Sequence, residues 1–517
     1  MIRINQITCE PGHIVDREDI ARKLHCTPSD ILSYEIERES IDARKNEVRM
    51  SYAVLAEVRN EPRFLRLRDV REAICTEYSL IQAVSEERPV IVGFGPAGMA
   101  AGLILAESGL RPIIIERGKP VEERTKDVQD FFQRGILDPS SNVQFGEGGA
   151  GTFSDGKLTT RIKDTRVHKL LEEFVEAGAD PAILYQAMPH LGTDALQDIV
   201  RNIRRKIIRL GGEIRFSCTL ERLIIEDGQV TGIMTDKGTL PARYVLLCLG
   251  HSAQDTCRSL LEQQLYMEPK DFAAGVRVEH LQKLIDDNQY GSYAGHPALG
   301  AASYRLTHRA SNGRGVYSFC MCPGGTVIPA STEEGTLAIN GMSRSARDGA
   351  NANSAILVQV FRRDFDLGHP LDGFAYQHRL EKLAWREGFA APVQNIRDWL
   401  NGQASSELAL PSTFPRGTRF CEMHTLFPAE VNAALREGML AFERKIPGFT
   451  AQGIMLGTES RSSSPVRLKR TETGESVSMN GVYPCGEGAG YAGGIVSSGA
   501  DGIHQAENVI RAILQQK

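Results

Sequence analysis

The residues of this sequence with the clearest chemistry are glycines. Gly93-Phe94-Gly95-Pro96-Ala97-Gly98 follows the apolar run Val90-Ile91-Val92 and leads into an apolar segment reaching about Glu107. A second apolar run, Ile113-Ile114-Ile115, ends on Glu116, with Arg117 beside it. The order is strand, turn, helix, strand, the setting in which a G-x-G-x-x-G binds a dinucleotide. Gly93 permits the tight turn, Gly95 lets a pyrophosphate approach the backbone, and Gly98 lets helix and strand pack. Pro96 costs nothing at a helix start, and the free N–H groups there, with Ala97, face phosphate. Glu116 is placed to accept from ribose hydroxyls, with Arg117 as a further cofactor contact.

A second glycine-rich window runs from Phe145 to Leu158. Gly148, Gly149, Ala150, Gly151 and Gly156 allow close backbone approach, and successive N–H groups can form an anion-binding nest. Ser154 and Asp155 add a donor and an acceptor. Phe145, Phe153 and Leu158 anchor the window, so it is expected to be a loop lining the cofactor, held by a scaffold. Near the C-terminus an apolar strand ends at Gly486-Glu487, and Gly493-Gly494-Ile495 leads into a terminal helix from Ser497 to Gln515. Glu487 is expected at the ribityl and pyrophosphate region, and the helix N-terminus at the pyrimidine edge of a flavin. Its positive end would stabilise the negative charge of the reduced ring. A nicotinamide-only protein has no use for this second motif, so the predicted cofactor is FAD. With one fingerprint and no dedicated nicotinamide domain, NADH or NADPH would serve only as a transient electron donor.

Between these motifs, Leu220 is expected along the adenine, and Gly250-His251 ends a buried strand at the cofactor's edge, His251 as a hydrogen-bonding neighbour. A substrate anion or developing enolate needs a fixed cation, and Lys157, Arg277 and Arg461 are the candidate catalytic residues. Cys320-Met321-Cys322 suggests a redox dithiol, but on an extended strand positions i and i+2 lie about 6.6 Å apart, near the limit for a disulfide. Two buried thiols beside the site are the expectation. Cys421 and His424 form a C-x-x-H that nothing in the sequence brings to Cys320 and Cys322, so no metal site is predicted.

The elements that must position these residues imply an α/β fold. Residues 1–85 read as a small N-terminal α+β domain, with strands at Ile2 to Ile7, Ile31 to Ile36 and Met50 to Val58, and a helix after Asp16. Residues 86–265 read as the first part of a Rossmann-like FAD-binding domain. Residues 266–450 read as an inserted α+β cap or substrate domain, and 451–517 as the C-terminal part of the FAD-binding domain. The formal net charge of -5 gives no whole-chain basis for nucleic-acid binding. No run of 18 apolar residues suggests a membrane span. The N-terminus lacks the apolar core of a signal peptide. The ten cysteines lack a secreted-framework spacing. A cytoplasmic location is expected.

Taken together, SIDARKN, GFGPAGMAAGL, FGEGGAGTFSDGKLTTR, LGHSAQD, GVRVEH, FCMCPGG, ESRSSSPVR and CGEGAGYAGGIVSSGADG resemble the bacterial family of uncharacterised FAD-dependent dehydrogenases labelled FAD-dependent protein C. The resemblance covers nearly the whole chain. It implies a glutathione-reductase-type FAD fold with an inserted domain, and no substrate. The expected function is an FAD-dependent oxidoreductase passing hydride between flavin N5 and a small organic substrate. A flavin monooxygenase is disfavoured because Gly486-Glu487 replaces the usual Gly-Asp. A flavoprotein gripping tRNA or a protein partner through its N-terminal domain, with a structural FAD, has only Arg44-Lys45 behind it.

Overall fold

The computed structural model describes residues 1–44, 47–74 and 76–515. Lys45 of the expected basic pair lies outside the described residues. No described helix is long and apolar enough to cross a membrane.

The nucleotide-binding body is a five-stranded parallel sheet built around Val90–Val92. Ile113–Ile115 and Glu213–Arg215 extend it on one side, Val245–Leu247 and Val482–Pro484 on the other. The three central runs are fully apolar and buried, as strands covered on both faces must be. Gly93 turns the chain out of the first strand at φ 101°. The opening helix, Pro96–Glu107, packs against the closing helix, Ile495–Gln515. A Cβ on Gly502 would lie 2.2 Å from the Ala97 carbonyl oxygen, so the two helices meet backbone to backbone. A three-stranded antiparallel meander spans Leu220–Glu226, Gln229–Thr235 and Gly238–Pro241.

The insertion is organised by a seven-stranded sheet whose buried centre is Phe272–Leu281 between Asn351–Val360 and Ile454–Glu459. This sheet therefore runs past residue 450, because Ile454–Glu459 pairs with Phe272–Leu281 and not with the parallel sheet. The N-terminal unit is a four-stranded antiparallel sheet: Ile2–Cys9 lies between Arg49–Val58 and Val70–Glu72, with Ile31–Asp42 outside Arg49–Val58. Its helix, Arg17–Leu24, starts at an Asp16/Asp19 capping box, which satisfies N–H groups that a helix start leaves open. The edge strand Ile31–Asp42 is stitched to the nucleotide-binding body. The Glu39 N–H donates to the Tyr185 carbonyl at 2.8 Å, and the Ala187 N–H to the Glu39 carbonyl at 2.8 Å.

Candidate functional site

One cavity of about 1200 Å³ is lined by residues of all three units. Gly93, Gly95, Pro96 and Ala97 reach it from the opening helix, and Gly493, Gly494 and Ile495 from the closing one. Both helix starts thus present open N–H groups and a positive dipole end to one space. The second glycine window contributes Gly149, Ala150, Gly151, Ser154, Asp155, Gly156 and Lys157. Glu116, Arg117, Leu220, Gly250, His251, Arg461 and Glu487 complete the expected set that lines it.

Four expected residues do not line the cavity. At Gly98 a Cβ would stand 1.9 Å from the Gly93 carbonyl oxygen, at Gly148 2.1 Å from Thr152 Oγ1, and at Gly486 2.8 Å from Ala97 Cβ. These glycines shape the walls by letting segments touch. The fourth is Arg277, expected as a substrate-facing cation. Its side chain is 0% exposed because it springs from the middle strand of the inserted sheet. Its guanidinium donates to Glu459 at 2.8 Å, to Asn353 at 2.8 Å and to the Cys320 carbonyl at 3.2 Å. Burial works against its charge, yet Glu459 holds its pKa above the ordinary arginine value. Arg277 positions Glu459 and Cys320, both of which do line the cavity.

The other two candidate cations line the cavity but are paired. Arg461 clasps Glu381 through Nε at 2.8 Å and Nη2 at 2.7 Å. Burial raises the Glu381 pKa, but Arg461 and Ser460 outweigh it and keep the group ionised. Lys157 Nζ is 3.5 Å from Asp155 and has no hydrogen-bond partner among the described residues. Asp155 is itself a tie: Arg347 Nε reaches it at 3.1 Å and Ser343 donates to it, both from the inserted unit. Burial pushes its pKa up, and Lys157, Arg347 and Ser343 together bring it below the usual aspartate range.

Glu116 is almost saturated by backbone. It accepts from Phe94 N at 2.8 Å, Gly118 N at 2.9 Å and Gly146 N at 3.0 Å, which leaves about one of its four lone-pair sites for a ribose hydroxyl. Arg117 is fixed by Asp255 at 3.0 Å and lies over the Phe145 ring at 4.4 Å. His251 is buried, with Nδ1 3.5 Å from Glu487 and Nε2 without a partner among the described residues. A buried ring nitrogen left open on a cavity wall calls for a hydrogen-bond partner from ordered water or a bound molecule.

The nine described cysteines are free thiols. Cys320 sits at φ 43° where Gly315–Cys322 slips register against Asn351–Val360. The bulge sets Cys320 on the cavity wall, whereas Cys322 is fully buried and donates to the Cys320 carbonyl at 3.2 Å. Burial pushes both thiols up, Cys322 to about 12. Cys421 accepts from Arg386 at 3.1 Å. In the N-terminal unit, Cys9, His13 and Asp19 hold ligand-type atoms within 4.8 Å of one another. Asp19 there is already engaged by His13 at 2.6 Å and Arg22 at 3.0 Å.

Two positioning residues were invisible in the sequence. Arg124, fully buried, donates to the carbonyls of Asn142 at 2.8 Å, Glu147 at 2.6 Å and Val143 at 2.9 Å, and so fixes the second glycine window. Burial lowers its pKa to about 10. Asp501 on the closing helix accepts from Gly486 N at 2.8 Å while held by Arg470 at 2.7 Å. Arg124 belongs to none of the motifs above, and Asp501 falls within CGEGAGYAGGIVSSGADG without a spacing that shows its partner; each is one charged residue on an amphipathic helix.

Residues 271–462 match the family model described as FAD-dependent protein, C-terminal domain-like, and residues 1–57 match a domain of unknown function. An uncharacterized protein of Clostridium beijerinckii (strain ATCC 51743 / NCIMB 8052) is 45% identical over 525 residues, covering 98% of each chain. The chain belongs to that protein's family. Among solved structures, L-proline dehydrogenase from P. horikoshii is 12% identical, covers 85% of this chain and 95% of its own, and has a TM-score of 0.37. Glycine oxidase from Bacillus cereus ATCC 14579 is 10% identical, with 83% and 96% covered and a TM-score of 0.31. The match to the Clostridium protein runs over the segments that form the N-terminal sheet and the insertion here.

Proposed function

We propose that the protein is an FAD-dependent oxidoreductase, a dehydrogenase or reductase of glutathione-reductase-type fold acting on a small organic substrate. The observation that carries this reading is that both glycine-rich helix starts and the orphaned His251 Nε2 border one cavity. The residues fit FAD. Gly95 has only the Gly149 Cα, at 3.7 Å, near where a Cβ would point, so a pyrophosphate can approach its backbone. Around Gly493 nothing lies within 4 Å of a Cβ, which leaves the closing helix start open. A volume of about 1200 Å³ exceeds the usual range of about 300–1000 Å³ for a single-ligand site, so it has room for a dinucleotide and a substrate.

FAD, when bound, supplies hydride acceptance and donation. This chain's residues orient and enclose. The helix starts hold phosphate and the reduced ring's charge, Glu116 takes one ribose contact, and His251 offers Nε2 to the cofactor or a substrate atom. Lys157 and Cys320 face the remaining space, and Glu459, kept in place by Arg277, is the acid there. Burial pushes the Glu459 pKa above the ordinary glutamate value despite Arg277, which brings proton uptake nearer to neutral pH. Anaerobic titration with NADH and NADPH tests the reductase form. Rapid bleaching by one nucleotide is the expected result; a flavin that stays oxidised with both contradicts it and leaves substrate dehydrogenation.

A further inference from the structure

Seven lysines and arginines line the cavity, and four of them are paired with carboxylates. Arg117 is bound to Asp255, Arg461 to Glu381, and Arg347 and Lys157 to Asp155. The side chains of the remaining three, Arg38, Arg161 and Arg305, have no ion-pair or hydrogen-bond partner among the described residues. They come from three separate stretches: the edge strand Ile31–Asp42, the chain just after the second glycine window, and the inserted unit. Glu39, the acid next to Arg38, lines the same cavity and also approaches Tyr52, whose pKa is raised first by burial and then by that carboxylate. Thr159, Thr160 and Ser303 add hydroxyls to the same cavity.

We infer that the substrate is an organic polyanion, bearing carboxylates or phosphates, gripped by Arg38, Arg161 and Arg305; this rests on the cavity being the FAD-dependent site proposed above. The physical argument is one of unspent charge. An arginine is always ionised and presents a planar fork of N–H donors that matches a carboxylate or a phosphate. A lone exposed arginine means little, since surface pairs contribute about 0–1 kcal/mol. Three without a carboxylate partner that line one cavity, though each is solvent-exposed, are different, because a cleft focuses their summed field and draws in anions. Arg117 and Arg461 each face a carboxylate of their own and Arg347 and Lys157 share that of Asp155, so Arg38, Arg161 and Arg305 are the cavity cations left without a carboxylate partner among the described residues. This also gives the N-terminal sheet a task. Its edge strand is bonded to Tyr185 and Ala187 so that Arg38 faces a cavity built by the other two units.

The full-length flavin-loaded protein is titrated with succinate and with pyrophosphate, neutral succinamide serving as control. Binding is read by the flavin difference spectrum and by calorimetry. At least one dianion is expected to bind saturably and more weakly as salt rises, while succinamide does not. Preference for succinate assigns a carboxylate substrate, and preference for pyrophosphate a phosphate ester. The triple variant R38Q/R161Q/R305Q is expected to weaken binding about tenfold or more with its FAD content unchanged; the single variants keep the test readable if the triple does not fold. Binding of neither dianion, or equal affinity in wild type and variants, overturns the inference. Absence of flavin from the wild type contradicts the FAD reading, and calorimetry then decides the anion site separately.

Discussion

Arg277 is fully buried, and its guanidinium donates to Glu459, Asn353 and the Cys320 carbonyl. Removing one member of a buried pair leaves the other charge stranded, at a cost of about 3–5 kcal/mol. Arg277→Met is expected to lose stability of that size in denaturant unfolding, and Arg277→Met with Glu459→Leu to lose less. A single variant as stable as wild type contradicts the role. Residue type was legible here and facing was not. An arginine in an alternating strand looks the same whether it points to substrate or to a carboxylate 182 positions away. Asp155, expected as a cofactor acceptor, lines the cavity and in addition ties the insertion down through Arg347 and Ser343, contacts that no local spacing shows. Glu116 and Arg117, set by local spacing after a strand, do line the cavity as their positions imply.

At the scale of elements, the opening helix depends on Gly98. A Cβ there would meet the Gly93 carbonyl oxygen at 1.9 Å and the Ile91 side chain at 3.2 Å. The helix must then lift off the strand that aims its N-terminus. Gly98→Ala is expected to lower bound FAD severalfold and to lower the unfolding temperature. Retention of full flavin content at wild-type stability contradicts the packing argument. Three of the four strands of the N-terminal unit and its helix after Asp16 were legible because alternation and a polar helix start are local signals, as is the Asp227-Gly228 turn of the meander, where both residues have positive φ. Val70–Glu72 was too short to show. The inserted sheet was not. Its centre strand pairs with Asn351–Val360 and Ile454–Glu459, partners far along the chain that no local pattern names. The bulge that sets Cys320 on the wall has no sequence mark either.

At the scale of the molecule, three units share one cavity, and each supplies what the others lack. The parallel sheet offers two helix starts, the insertion offers Glu459, Arg461 and Arg347, and the N-terminal sheet offers Arg38. The α/β plan with an insertion followed from the split of the two glycine-rich motifs to opposite ends of the chain. The N-terminal sheet as a cavity wall did not, because its attachment runs through two backbone hydrogen bonds at Glu39, which carry no side-chain signature. The measurement that tests the central claim most directly is the absorbance spectrum of the purified full-length protein, with the released chromophore identified by mass. The account predicts FAD, at about one per chain after reconstitution. A protein that folds and takes up no flavin even with excess FAD would contradict it.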